Sequence, residues 1–573
     1  MPTHTVIFSN QTSKNKTAYY DFDETIFNHP NLLDLRSIIK VHRDKWLEEL
    51  NLSHSTLGEE IAANDKSWWF SRLSRLDVRP WGNADIFKPL IFSHAMITWL
   101  NSQTEGQTLH INGAPFEVYT HLKSVAKTMA ITIHHNFSTK EKKYAGNRGQ
   151  HKLLPTLKRI WSLFRLARSR PAAKYSNTSN FIIYQHIHNQ NLQDGYKYYY
   201  TNLFDELDQN NISILALGLT PDNKDGRTVS LLRQLNYTDV VIATLAGIRS
   251  YLSTRKLRGS PCQLDSFNYP KFWSQYFAQL NDPEELIEVQ ATYRMIKRLL
   301  KSRKNSRVIL PYEEKGIERA VLLAALENGV ETIGFTPHPQ HKLLLALKDQ
   351  DQGTCPKPIT YAYCGEGYSN YFKEWGNKVN AQGLVWGSRK SPSVSNWQPR
   401  YSSQKKLKVL FTVSHPEEIR IFRSWLLSTP EICEISDINL RRYKAVDDTF
   451  FDLAFADLQE RYPNISEVSG DLGDNVKAND IVLFCATSAG PEAINFGILG
   501  IYADLTDCFS INPVFDNIEP FLPVETSKDF LDLLTKLTQM SQQERDDIYK
   551  TQRDWAKFCF APINQNLLKK VFA

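Results

Sequence analysis

The sequence predicts an α/β protein of two Rossmann-like domains facing a cleft, preceded by a mostly helical N-terminal region. Three observations carry this expectation. The chain has 573 residues, well beyond the roughly 250 to 300 at which a single core stops growing. Short apolar runs alternate with amphipathic stretches of helical period in two separate series, the pattern of parallel strands covered by helices. Between the two series lies 389–406, RKSPSVSNWQPRYSSQKK, with Ser, Pro and basic residues and no apolar period, which reads as a linker.

Taken in order, the first hundred residues read mainly as helix, over 31–50 and 84–100, with an aromatic cluster DKSWWF at 65–70. The alternating segment 108–112 opens a βαβ pattern with a helix over 115–129 and a strand over 130–134. Strands are next expected at 213–219, 308–311 and 331–335, the last two joined by a helix over 317–328. After the linker the series runs strand 407–413, helix 416–427, strand 432–440, strand 480–485, helix 489–496 and strand 500–504. The segment 530–558 reads as a closing helix pair. The expected division is therefore 1–388, linker 389–406, 407–550, and a C-terminal helix over 551–573 that returns to the first domain.

Hydrophobic residues make up 42% and charged residues 23%, with 12 Trp, 25 Tyr and 30 Phe, which excludes a disordered or fibrous chain. The net charge of +6 is small for this length, but its distribution is uneven. From Lys142 to Gln193 there is no Asp or Glu, while basic residues crowd 142–174, so this insertion suits an anionic surface. Within it, Leu153, Leu157, Ile160, Trp161 and Phe164 share a helical face with Lys158, Arg159 and Arg165 off it, the pattern of a helix lying in a membrane interface. An amphipathic helix packed on the core has the same pattern. No recognition fold for nucleic acid accompanies the basic tract, so none is expected as a partner.

Seven scattered Cys form no metal-ligand spacing, and reduced thiols in the cytosol are expected. No segment approaches the roughly 20 apolar residues of a membrane span, so a cytoplasmic protein, peripheral at the inner face of the membrane, is expected. GxGxxG after a strand and GxxxxGK[ST] are both absent, which disfavours dinucleotide redox and P-loop chemistry. Neither a metal nor a cofactor is expected.

The residues suited to chemistry cluster at strand ends. Glu313 and Glu314 follow the apolar run 308–311, where a carboxylate can act as general base toward a hydroxyl; the same position also suits the helix dipole. Glu318 and Arg319 lie on the first turn after Gly316, Arg319 being able to hold a phosphate or carboxylate or to form a surface ion pair. His338 lies in the loop after the next strand. In the second half, an apolar strand leads into Thr487, Ser488, Ala489 and Gly490 at a helix N-terminus, an arrangement suited to a nucleotide phosphate or to simple N-capping. Glu492 follows as a candidate for ribose hydroxyls. Arg441 and Arg442 after an earlier strand, and Ser388 with Arg389 entering the linker, are cationic or polar candidates for the same phosphate.

The segments YEEKGIERAVLLAALENGVETIGF, KPITYAYCGEGYSNYFKEWG, GLVWGSRKS, ATSAGPEAINFGILGIY and DKSWWFSRLSRLDVRPWGNADIFKPL resemble, in order and spacing, bacterial surface carbohydrate biosynthesis proteins. That family is similar to GT-B sialyltransferase-like and Kdo transferase-like glycosyltransferases. The resemblance implies a GT-B enzyme with an acceptor-side first domain and a nucleotide-sugar-binding second domain, and the lack of a DxD pair at a strand end makes a metal-independent one the expectation. The resemblance also implies transfer of an acidic 2-keto sugar, a nonulosonic acid or Kdo, from its CMP ester to a surface glycan or lipid-linked acceptor. On that likeness Glu313 is the base and Thr487 and Ser488 hold the CMP phosphate; Asp65, Trp68, Trp69, His338 and Arg319 are the further candidates for contacts with acceptor or sugar. Where the wider group carries Lys-Pro-His-Pro this chain has Leu440-Arg441-Arg442, so the arginines stand in for the histidine. A UDP- or GDP-sugar donor, a sugar-nucleotide epimerase and a noncatalytic assembly subunit are the alternatives.

Overall fold

The computed structural model describes residues 282–303, 306–313, 315–335, 355–374, 382–388, 406–413, 416–442, 448–485, 487–504 and 523–564. Before residue 282 it describes the strands named below and shorter stretches that include 65–71, 94–102, 153–168 and 234–256. Three parallel sheets organise these residues. Strands β1 (Thr3–Ile7), β2 (Thr108–Asn112) and β3 (Thr132–His135) form the smallest, in that order.

The second sheet holds β4 (Phe181–Gln185), β5 (Ile214–Gly218), β6 (Thr228–Ser230), β7 (Arg307–Pro311), β8 (Glu331–Phe335), β9 (Thr360–Tyr363) and β10 (Gln382–Val385). Their order across the sheet is β10-β9-β8-β7-β4-β5-β6. The chain thus steps outward from β4 to β6, returns to lay β7 beside β4, and steps outward the other way. The reversal makes the β4/β7 crevice the topological switch point, where ligands of open parallel sheets bind outside the strand carboxyl ends.

The third sheet repeats this scheme with β11 (Leu407–Val413), β12 (Ser436–Arg442), β13 (Ile465–Val468), β14 (Ile481–Phe484) and β15 (Leu499–Tyr502), ordered β13-β12-β11-β14-β15. Its switch point lies between β11 and β14. Strands β9, β14 and β15 are buried along their whole length, the expected state of parallel strands covered on both faces. The strand anticipated over 432–440 begins only at Ser436. Residues Glu431–Ile435 form a short helix instead, closed by the Ser436 hydroxyl donating to Ile432 O at 2.6 Å. A local side-chain bond to the backbone here outweighs the apolar alternation.

Helices cover the sheets. They include α1 (Leu153–Arg168), α2 (Tyr237–Lys256), α3 (Pro283–Leu300), α4 (Gly316–Glu327), α5 (Glu366–Glu374), α6 (Ala489–Asn495) and α7 (Gln542–Cys559). Helix α4 packs on β7, β8 and α3, α3 packs along α2, and α1 lies against both α2 and α3. The expected closing segment is broken at Met540 and Ser541 into Ser527–Gln539 and α7, because Ser541 caps a new helix through Glu544 N–H. Helix α7 connects the two larger sheets. Gln552 bonds both the N–H and the carbonyl of Gly500 at 2.8 Å, and beyond the helix Ala561 N–H donates to Cys364 O, Ser388 N–H to Ala561 O and Asn564 N–H to Trp386 O.

Candidate functional site

The loop after β7 is pinned before its charged residues appear. Tyr312 N–H donates to Phe335 O at 2.9 Å and its hydroxyl to Pro356 O at 3.2 Å. Glu318, one turn into α4, reaches back to accept from Glu313 N–H at 2.7 Å and Lys315 N–H at 3.0 Å through one carboxyl oxygen. This is the return half of a capping box, with Lys315 at the N-cap. The Glu313 carboxylate itself pairs with Lys315 Nζ at 2.9 Å and is 7% exposed.

The two carboxyl groups therefore differ in character. Burial pushes Glu318 up to about 7, with Lys315 opposing and the neighbouring Glu313 charge adding. Its second oxygen is buried without a hydrogen-bond partner. A fully buried carboxyl spent on two amides positions the loop, whereas Glu313, carried by that loop at the end of β7, stays a candidate base. Glu314 lies outside the described residues, as do His338 and Arg389.

The residues expected to contact acceptor or sugar are placed otherwise. Trp68 and Trp69 are core residues at 2% and 1% exposure, and Arg319 is fully buried with its guanidinium 5.5 Å from the Trp69 ring. Asp65, half-buried, opens the turn Lys66–Phe70 through its backbone carbonyl, which accepts from Trp68 N–H. This aromatic turn is pressed against the start of α4 and supports the β7 loop from behind; its rings meet protein. Gly316 provides the clearance for this contact: a Cβ there would lie 2.1 Å from Phe70 O. Gly316→Ala is expected to destabilise the protein by about 1–3 kcal/mol, the usual cost of overpacking. An unchanged urea midpoint would show that the turn is free to retreat.

At the end of β14, the N-capping reading accounts for one hydroxyl of two. Thr487 Oγ1 accepts from Ala489 N–H at 3.2 Å, while Ser488, at the N-cap in helical backbone, makes no capping bond. Both are half-buried. Gly490 sits against Phe484, whose ring a Cβ would meet at 2.1 Å, so this glycine brings the helix start onto the strand. Glu492 is buried and influences groups on either side of it. Its charge bears on Arg441 and, across the molecule, on Cys364 and Tyr368 after β9. Burial first and Glu492 next raise Cys364 to about 12. The carboxyl end of β9 and the helix after β14 thus share one electrostatic neighbourhood, which the sequence alone did not indicate.

Arg441 and Arg442 do not act together. Successive strand residues point to opposite faces. Arg441 turns toward Gly470 O and the Asn475 side chain, and burial lowers its basicity against the charges of Asp471 and Glu492. Arg442 turns the other way, to Glu467 at 3.6 Å and over the Phe451 ring. Ser388 is buried and spends its N–H on Ala561 O at 2.8 Å, docking the C-terminal segment. Asn475, Asp471 and Tyr368 join the neighbourhood unforeseen; only the Gly470-Asp471 turn and cap pattern carried a signal.

The fold and site define an α/β protein with two switch-point parallel sheets, each ending its switch strand in polar candidates. No family model and no curated protein matches the chain; the likeness to sialyltransferase- and Kdo transferase-type enzymes therefore stands on the quoted motifs alone. Among solved structures, an alpha,alpha-trehalose-phosphate synthase (UDP-forming) from Burkholderia vietnamiensis is 9% identical over 68% of this chain and 96% of its own, with a TM-score of 0.38. The pneumococcal O-GlcNAc transferase GtfA, in complex with UDP and GlcNAc, is 13% identical over 48% and 59%, TM-score 0.33. Anabaena Alr3699/HepE in complex with UDP is 9% identical over 48% and 82%, TM-score 0.35.

Proposed function

We propose that this chain transfers a glycosyl group from a nucleotide-activated sugar to an acceptor hydroxyl. The observation that supports it is positional: Glu313 ends the switch strand β7 and the Thr487–Ser488 loop ends the switch strand β14. In the proposed step, Glu313 takes the acceptor proton as the hydroxyl oxygen bonds to the anomeric carbon. The bond from that carbon to the nucleotide phosphate breaks, and the phosphate leaves with the electron pair. The Ser488 hydroxyl and the charge of Arg441 receive it, electrostatic stabilisation being the main task at that point.

The CMP donor implied by the resemblance rests on the quoted motifs alone, and where the wider group carries Lys-Pro-His-Pro this chain has Arg441 and Arg442. The donor proposed instead is a UDP- or GDP-sugar, with UDP, the nucleotide bound in the GtfA and HepE structures, tested first. UDP is expected to raise the melting temperature more than CMP or GDP, since a ligand binding only the native state stabilises it by about 2.7 kcal/mol at a hundredfold excess over Kd. A larger shift with CMP would restore the acidic-sugar donor. Indifference to all three nucleotides would sink the transferase and favour a noncatalytic role.

Helix α1 is proposed to hold the protein against an anionic membrane, near a lipid-linked acceptor. Its surface differs from the sequence expectation. Ile160 and Phe164 pack on the core with buried Leu163, whereas Leu157 and Trp161 are exposed beside Lys158, Arg165 and Arg168. Arg159 is taken by Glu288 of α3 at 2.5 Å. No helix among the described residues is long and apolar enough to cross a membrane.

A further inference from the structure

Helix α2 carries an apolar stripe that the core does not use. Tyr237, Val241, Leu245, Ile248 and Leu252 are all exposed, Leu245 at 65%. At 100° per residue they fall on one arc of the helix, over roughly 22 Å at 1.5 Å per residue. The opposite face is satisfied: Val240 and Ala243 are buried in the core, and Gly247 lies against the Ile287 backbone of α3. The stripe is thus a second apolar surface on the same helix.

The neighbours of this stripe identify what covers it. Helix α1 lies directly alongside, with Phe164 and Tyr237 rings 6.2 Å apart, and exposes Leu154, Leu157 and Trp161. Arg165 sits over the Trp161 ring at 5.7 Å, an amphipathic pairing suited to a headgroup boundary. Among the described side chains of the two helices, the exposed charged ones, Lys158, Arg165, Arg168 and Arg249, are all cationic. The acid of α2, Asp239, is turned inward and held by Arg298 at 2.8 Å. A second copy of the chain docked here would bring these cations together without carboxylates to offset them, whereas an anionic lipid surface supplies both the apolar layer and the counter-charge.

We infer that α1 and α2 form one membrane-docking face in which α2 inserts its apolar stripe while α1 supplies most of the charge. The inference rests on the α1 membrane reading and adds to it a component that salt does not screen. Charge attraction fades within a Debye length of about 8–10 Å at physiological salt, but apolar insertion does not.

The test is cosedimentation of the full chain with phosphatidylserine-containing and pure phosphatidylcholine vesicles at 0.05 and 0.5 M salt. Wild type is expected to retain binding to the anionic vesicles at high salt. Leu245→Glu with Ile248→Glu is expected to weaken that binding at least ~10-fold, the loss of about one buried apolar side chain. Changing Lys158, Arg165 and Arg168 to Gln is expected to weaken low-salt binding and leave a salt-resistant remainder. Circular dichroism and melting of each variant guard against unfolding, and Leu252→Glu provides an independent position on the stripe. If wild type ignores all vesicles, both readings fall. If binding vanishes at high salt and the α2 variants match wild type at low salt, α1 docks alone and the α2 inference is overturned. A wild-type dimer converted to monomer by the α2 variants would assign the stripe to a second copy instead.

Discussion

Glu313→Gln is expected to lower turnover at least ~100-fold while leaving nucleotide binding unchanged, because positioned proton transfer contributes 10²- to 10⁴-fold. The structure supports separating the two readouts. Glu313 stands at the end of β7, and the candidate phosphate loop stands at the end of β14 in another sheet. Gln keeps the size and a hydrogen-bond acceptor but cannot take a proton. The ion pair with Lys315 is lost in the variant, so binding is read separately by thermal shift with nucleotide. Normal turnover in Glu313→Gln would remove it from the mechanism. Glu314 and Asp65 would be next to test, since Glu318 is spent on two backbone amides.

The second large effect concerns stability against pH. Glu318 is raised by burial to about 7, above its ordinary 4.5, so between those values the folded chain holds a proton that the unfolded chain has released. The group therefore favours folding fully at low pH, and that contribution is lost as pH rises toward and through 7. At 1.36 kcal/mol per unit the whole span amounts to at most about 3 kcal/mol. Glu318→Gln retains an acceptor for the amides of Glu313 and Lys315 and does not titrate. The unfolding free energy of the variant minus that of wild type is thus expected to increase from pH 5 to pH 8, measured by urea denaturation at each pH. His94 acts in the opposite sense, since burial lowers it to about 4 and its contribution is lost as pH falls below 6.5, but it is common to both proteins and cancels. A difference that stays flat across this range would mean that Glu318 is ionised in the fold at every pH tested.

Much of the architecture was legible because its causes are local. Strand β11 spans the residues its apolar run marks, and α4 begins beside the expected position. Buried parallel strands need continuous apolar side chains, and helices between them need one apolar face. The placement of Glu313 and of Thr487–Ser488 at strand ends followed from the same reasoning. The roles of the residues around them did not. Trp68 and Trp69 have the composition of a sugar platform and the position of core, since burial depends on α4 approaching from almost 250 residues later in the chain. The sequence puts Arg441 and Arg442 side by side, while the alternation of a strand separates them onto two faces.

By itself, then, the sequence determined the class of fold, the alternating order of strands and helices, and the loops where charged and hydroxyl side chains gather, because these depend on period, capping and turn chemistry within a dozen residues. The tertiary structure alone decided the strand order that makes β7 and β14 the switch strands. It also decided the burial that leaves Glu318 a loop holder with a raised affinity for its proton, and the exposure that turns α2 outward beside α1. Each of these depends on which distant segment removes a side chain from water, and a neighbour brought close by folding leaves no mark in the local pattern.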